Sequence, residues 1–239
     1  MSERKGQGAR GLSFGLSAFI VFAVICTVGF ASLGIWQVER LAWKNALVEA
    51  VETRSTAAPL DIATTNWAQF DPEKNEYQRV SLSGRYEGAD TFTQAVTVYG
   101  GGFWVMTPLQ LADGRSVLIN RGFVTSEQRA AGVPRPEGEV LVTGLWRVSE
   151  PDGGFLRAND PAGGRWYSRD VAEIGQALGI ASVAQFFVDA DADGAAYPVG
   201  GLTVLSFSNN HLVYALTWFG LTLLSVFALF WLLRDRWRR

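Results

Sequence analysis

Asn209-Asn210-His211-Leu212-Val213-Tyr214-Ala215-Leu216-Thr217-Trp218 carries the only histidine of the chain, on the threshold of an apolar run. That run, residues 212–233, holds 22 residues without a charge and ends in Arg234-Asp235-Arg236-Trp237-Arg238-Arg239. At roughly 1.5 Å per residue it covers the ~30 Å hydrocarbon core of a bilayer. The stretch therefore reads as the entrance to a transmembrane helix. The feature to explain is its polar Asn-Asn-His cap.

A matching run lies at the other end of the chain, residues 12–33, again 22 residues without a charge. Its apolar core is longer than that of a secretory signal, and no small-residue cleavage site follows, so it reads as an uncleaved anchor helix. Arg4, Lys5 and Arg10 flank the first span, and Arg234, Arg236, Arg238 and Arg239 follow the second. The positive-inside rule then puts the N-terminus (1–11) and the basic tail (234–239) in the cytoplasm, and residues 34–210 on the outer side. The outer segment has a net charge of −7 against −2 for the whole chain, which argues against nucleic acid as a partner.

Sulfur and imidazole are scarce. Cys26 lies in the first span, Met1 and Met106 are the two methionines, and His211 stands alone. A disulfide scaffold and a cysteine-based zinc or copper site are excluded, and copper handling lacks its soft ligands.

Beyond the first span, residues 34–51 contain no proline, so the anchor helix is expected to continue several turns past the membrane. Trp36 and Arg40 are four apart, as are Glu39 and Trp43, and each pair shares a helix face. Two readings stand: an interfacial aromatic belt with a snorkelling arginine, or one wall of a ligand site. From Tyr77 the pattern becomes alternating, and strands are expected over 77–86, 91–99, 103–111, 115–124, 139–148, 186–190 and 202–206. Gly100-Gly101-Gly102 reads as a hairpin turn and Asp113-Gly114 as another. One short helix is expected over 170–178, ended by Gly179. The fold class is thus a membrane protein of the α+β kind: two transmembrane helices flanking a mainly antiparallel β sandwich or barrel-like domain.

Catalytic motifs are missing. Asp189-Ala190-Asp191-Ala192-Asp193-Gly194 imitates the opening of a calcium loop, but Gly200 falls where the bidentate glutamate belongs, so it reads as an acidic turn. The glycine pairs lack the spacing of nucleotide-binding loops. Ser206 and Ser208 have no orienting acid beside them, no nucleophile elbow exists, and no carboxylate pair stands out, so an enzyme is not expected. His211 keeps two readings, an interfacial histidine beside an Asn209 or Asn210 helix cap, or an axial ligand to a haem iron. Tyr214, Ala215 and Trp218 fall on its helix face, which suits a flat ring and equally suits helix packing.

The order of several motifs resembles the Surfeit-locus (Surf/Shy) family of cytochrome c oxidase assembly proteins, in its bacterial form. Leu33-Gly34-Ile35-Trp36-Gln37-Val38-Glu39-Arg40 is similar to its first signature. Asn120-Arg121-Gly122-Phe123-Val124 and Val142-Thr143-Gly144-Leu145-Trp146-Arg147 resemble its internal strands, and Trp166-Tyr167-Ser168-Arg169-Asp170 its Trp-Tyr loop. The opening stretch resembles the entry to its second span, with Ser208 where relatives often carry arginine. The resemblance implies a non-enzymatic factor of the bacterial inner membrane with a periplasmic central domain. It implies transient binding of haem a and help with its insertion into the oxidase's large catalytic subunit, with the haem a synthase as a further partner. The family's histidine maps onto His211, the expected iron ligand. Trp36, Gln37, Arg40, Asn209, Asn210, Tyr214 and Trp218 are its expected surroundings. The alternative implied is a membrane scaffold for subunit assembly that does not touch haem.

Overall fold

The computed structural model describes residues 14–154, 157–205 and 209–238. Arg4, Lys5, Arg10, the start of the first apolar run, Ser206, Ser208 and Arg239 lie outside the described residues. In chain order the elements are α1 (Phe14–Thr56), β1 (Leu60–Asp61), a 3-10 turn (Trp67–Gln69), α2 (Pro72–Asn75), β2 (Arg79–Tyr86) and β3 (Thr91–Thr97). They continue with β4 (Gly100–Gln110), β5 (Ser116–Val124), α3 (Ser126–Ala131), β6 (Glu139–Val148), α4 (Val171–Ala177), β7 (Val183–Ala190) and α5 (His211–Trp237). Contacts divide the chain into two units, Met1–Val48 with Phe207–Arg239, and Glu49–Ser206.

The first unit is helical. α1 runs unbroken for 43 residues, about 65 Å, because no proline or glycine pair interrupts the sequence until Pro59. The expected continuation past the apolar run is therefore present. Both α1 and α5 are long and apolar enough to cross a membrane, with only 6% and 0% of their most apolar windows buried. A soluble protein's core helix would be covered instead. α5 begins at His211 itself, one residue before the apolar run, and extends to Trp237.

The second unit is a β barrel. Its sheet runs β1-β2-β6-β7-β5-β4-β3, and a further pairing of β2 with β4 closes β2, β4, β5, β7 and β6 into a ring. Five strands joined in Greek-key order form the barrel class that includes OB folds. The pairs are antiparallel except β1 with β2 and β5 with β7, which are parallel. Closure occurs where Arg85 and Tyr86 meet Gln110 and Leu109. Gly84 permits it, since a Cβ there would lie 2.4 Å from the Gln110 carbonyl oxygen.

Period-2 alternation explains the two parts of the core. Val117 and Ile119 of β5, with Phe186 and Val188 of β7, join Ile62, Leu82, Leu109 and Trp146 in one cluster. The intervening Leu118 and Phe187 belong to another, with Met106, Trp166, and Val171 and Ile174 of α4. β5 is buried on both faces, which is why it reads as a continuous apolar run.

Three sequence expectations need correction. The hairpin between β3 and β4 turns at Val98-Tyr99, with Thr97 opposite Gly100, so Gly101 and Gly102 are strand residues. Residues 202–205 form no strand; the chain instead bridges to the barrel through Val199 and Phe123. α4 is the expected short helix, capped by Asp170, but α2 and α3 are short helices too, α3 capped by a reciprocal Thr125–Gln128 box.

Candidate functional site

The sequence-selected residues of α1 and α5 meet along an antiparallel pair of helix faces. Phe30, Gly34, Gln37 and Asn45 recur at helical spacing on α1, and His211, Ala215 and Trp218 do so on α5. Gln37 Oε1 lies 2.7 Å from His211 Nδ1. Gln37 is 8% exposed and Ala215 2% exposed, so the contact is shielded and its neighbour one turn on is small. Gly34 makes the close approach possible, since a Cβ there would lie 2.6 Å from the Phe219 ring. Further along, Phe30 stacks on Trp218 with centroids 5.8 Å apart.

The cap of α5 is built from both asparagines. Asn209 Nδ2 donates to Asn45 Oδ1 at 2.8 Å, and Asn209 Oδ1 makes a long 3.4 Å contact with the His211 amide. The Asn210 carbonyl accepts from the Tyr214 amide at 3.3 Å. Trp36 and Tyr214, 52% and 54% exposed, turn away from the helix contact. Arg40 is exposed too, and its guanidinium lies 3.9 Å over the Trp43 ring rather than beside Trp36. The structure thus joins Gln37 to His211 directly and leaves Trp36, Arg40, Asn210 and Tyr214 on open surface. Asn45, Phe30 and Phe219 escaped the sequence reading, although Asn45 lies eight residues beyond Gln37 and shares its face.

This arrangement has a chemical consequence. With Nδ1–H donating to the Gln37 amide oxygen, the neutral tautomer that fits the contact carries its lone pair on Nε2. Such an outer hydrogen bond is the usual device for orienting a metal-binding histidine. Among the described residues no three His, Cys, Asp or Glu side chains gather as a metal site. A single imidazole would serve a metal ion whose remaining bonds come from a group other than this chain. Exposed aromatic rings and a guanidinium nearby suit a planar group bearing carboxylates.

The acidic turn follows β7 over residues 191–194, as expected, but Asp189 lies in the strand and does something else. Asp189 is 5% exposed and accepts from Arg147 at 2.7 Å, Arg169 at 3.0 Å, Asn120 at 2.7 Å and Thr203 at 2.9 Å. Burial works against the Arg147 charge, but Asp189, Tyr77 and Glu150 together outweigh it and hold the guanidinium above its usual range. Asp191 pairs with Arg79, and Asp193 accepts from the Ala195 amide. The three aspartates serve protein partners, and Asp189 ties three strands, the loop before α4 and the strap after β7 together. Elsewhere in the barrel, burial pushes the Tyr86 phenol up to about 12.

The sequence pattern of the SURF1 family matches residues 24–223. Surfeit locus protein 1 of Takifugu rubripes is 30% identical over 234 residues, covering 86% of this chain and 92% of that protein. The Drosophila melanogaster SURF1-like protein is 32% identical, covering 87% and 74%, and Surfeit locus protein 1 of Xenopus tropicalis is 28% identical, covering 83% and 70%. The chain belongs to the SURF1 family, the family of cytochrome c oxidase assembly proteins that its motifs resemble.

Proposed function

We propose that this chain is a non-enzymatic assembly factor for an aa3-type haem-copper oxidase that holds haem a through His211 Nε2 and assists its insertion into the large catalytic subunit. The observation that carries the reading is the 2.7 Å contact between Gln37 and His211. It leaves one oriented nitrogen in a helix pair long and apolar enough for a bilayer. The haem a group, when bound, supplies the iron and the redox chemistry that the finished oxidase uses. His211 donates the ligand, Gln37 sets its tautomer, and Arg40 offers a cation for carboxylates. Keeping those carboxylates at the outer membrane boundary spares the several kcal/mol of taking charge into hydrocarbon, while an isoprenoid tail stays in lipid. One protein ligand also suits a carrier that must let go.

The basic flanks support an inner-membrane protein with both termini cytoplasmic and the barrel periplasmic. The haem a synthase, as donor, joins the catalytic subunit and membrane lipid among the partners. The net charge of −7 over residues 34–210 argues against nucleic acid as a partner. The second reading, a scaffold for subunit assembly without haem, is favoured by the self-contained barrel. Purified wild type and His211→Ala, each prepared with haem a available, separate the two. The proposal expects haem, identified by chromatography, in the wild type and its loss in the variant. Equal content and an unchanged spectrum would leave only the scaffold.

A further inference from the structure

β3 ends the sheet. Among the described residues its outer edge receives one backbone partner, the Trp166 carbonyl, which accepts from the Gln94 amide at 2.8 Å. The strand alternation then turns the Val96 N–H and C=O the same way, where among the described residues no strand meets them. Residues 91–99 carry no charge and no proline, and Val96 and Val98 are 89% and 90% exposed. Most proteins protect such an edge with charge, proline or a covering segment.

Gly101, opposite Val96, adds an independent sign. Its backbone is not left-handed, and a Cβ would meet nothing within 4 Å. Neither conformation nor packing requires glycine, which weakens a strand and often marks close approach by another chain. Gly101 floors a cleft of about 560 Å³ with Gln94, Val96, Phe103, Arg157 and Tyr167. In barrels of this class ligands lie against the second strand of the ring, here β4, between the connections that follow the first and fourth, here β2 to β4 and β6 to β7, and this cleft is lined from all three. Arg157 is the only charged lining residue. It stacks over Tyr167 at 5.5 Å and pairs with no carboxylate among the described residues.

We propose that the β3 edge and this cleft dock an extended polypeptide segment of a partner protein, adding a strand beside Val96 and placing a carboxylate on Arg157. Main-chain bonds would give affinity and Arg157 the preference. The site stands whether or not His211 takes haem.

The test uses the full chain in detergent and two fluorescein-labelled peptides of alternating valine and threonine, one with a central glutamate and one with a central lysine. Anisotropy should show the glutamate peptide binding about threefold tighter, and Arg157→Glu should reverse the order. Val96→Pro removes the outward donor at an edge position, where proline is tolerated, and Gly101→Val fills the floor. Each should weaken both peptides by about tenfold with circular dichroism and thermal unfolding unchanged. No binding of the glutamate peptide, indifference to the charge swap, or full binding by Val96→Pro overturns the proposal. So does a wild-type dimer that Val96→Pro dissociates, which would assign the edge to a second copy.

Discussion

Gln37→Leu is the sharpest perturbation of the candidate site, because it keeps the side chain's bulk and deletes one atom's role. The Oε1 it removes lies 2.7 Å from His211 Nδ1 in a position 8% exposed, where water is poorly placed to substitute. The imidazole then loses what fixes its proton on Nδ1 and its ring plane. Outer hydrogen bonds of this kind contribute about 10- to 100-fold in metal affinity, about 1.4–2.7 kcal/mol. Haem a titrated into the detergent-solubilised variant should bind that much more weakly, with a displaced absorption maximum. Gln37→Glu keeps an acceptor, and a stronger one, so it should retain affinity while shifting the spectrum through a more electron-rich imidazole. A Leu variant that binds as tightly as wild type with an identical spectrum would refute the orienting role.

Other expectations concern both units. Gly34→Val drives a side chain into the Phe219 ring and should reduce haem binding as the helices part, with Phe219→Ala restoring it; failure of that rescue would count against the close approach. Asp189→Ala removes the shared acceptor of Arg147 and Arg169, whose side chains are 13% and 11% exposed. It should cost the barrel about 3 kcal/mol in urea unfolding, and a loss below about 1 kcal/mol would mean that Glu76, paired with Arg147, and Glu150, paired with Arg169, suffice. Tyr86 has a folded pKa of about 12 against an ordinary 10.0, so its contribution of about 2.7 kcal/mol is complete below pH 10 and lost as pH rises through 12. Tyr86→Phe should flatten that alkaline decline in stability; an unchanged slope would contradict the burial argument.

Much of this was legible in the chain. Uncharged 22-residue runs announce helices long and apolar enough for a bilayer, which α1 and α5 are, and β6 emerged with the expected bounds because its alternation is framed by turn residues. What escaped depends on partners distant in sequence. The Asp189 cluster looked like an acidic turn because its arginines lie 20 and 42 residues away. The triple glycine suggested a turn from composition, yet register puts the turn two residues earlier. Barrel closure rests on one short pairing beside Gly84, a contact no local pattern announces. The α3 capping box was readable at Thr125 and Gln128, but residues 125–131 carry no apolar period to draw attention to it. At the site, the sequence selected Gln37 and His211 but not their contact, which spans 174 positions.

With His211 Nε2 as the iron ligand, chemical rescue is the decisive experiment. His211→Gly should lose haem a or show an altered spectrum, and added free imidazole should restore the wild-type spectrum by occupying the vacated volume. Wild-type haem content and spectrum in the variant without imidazole would contradict the claim.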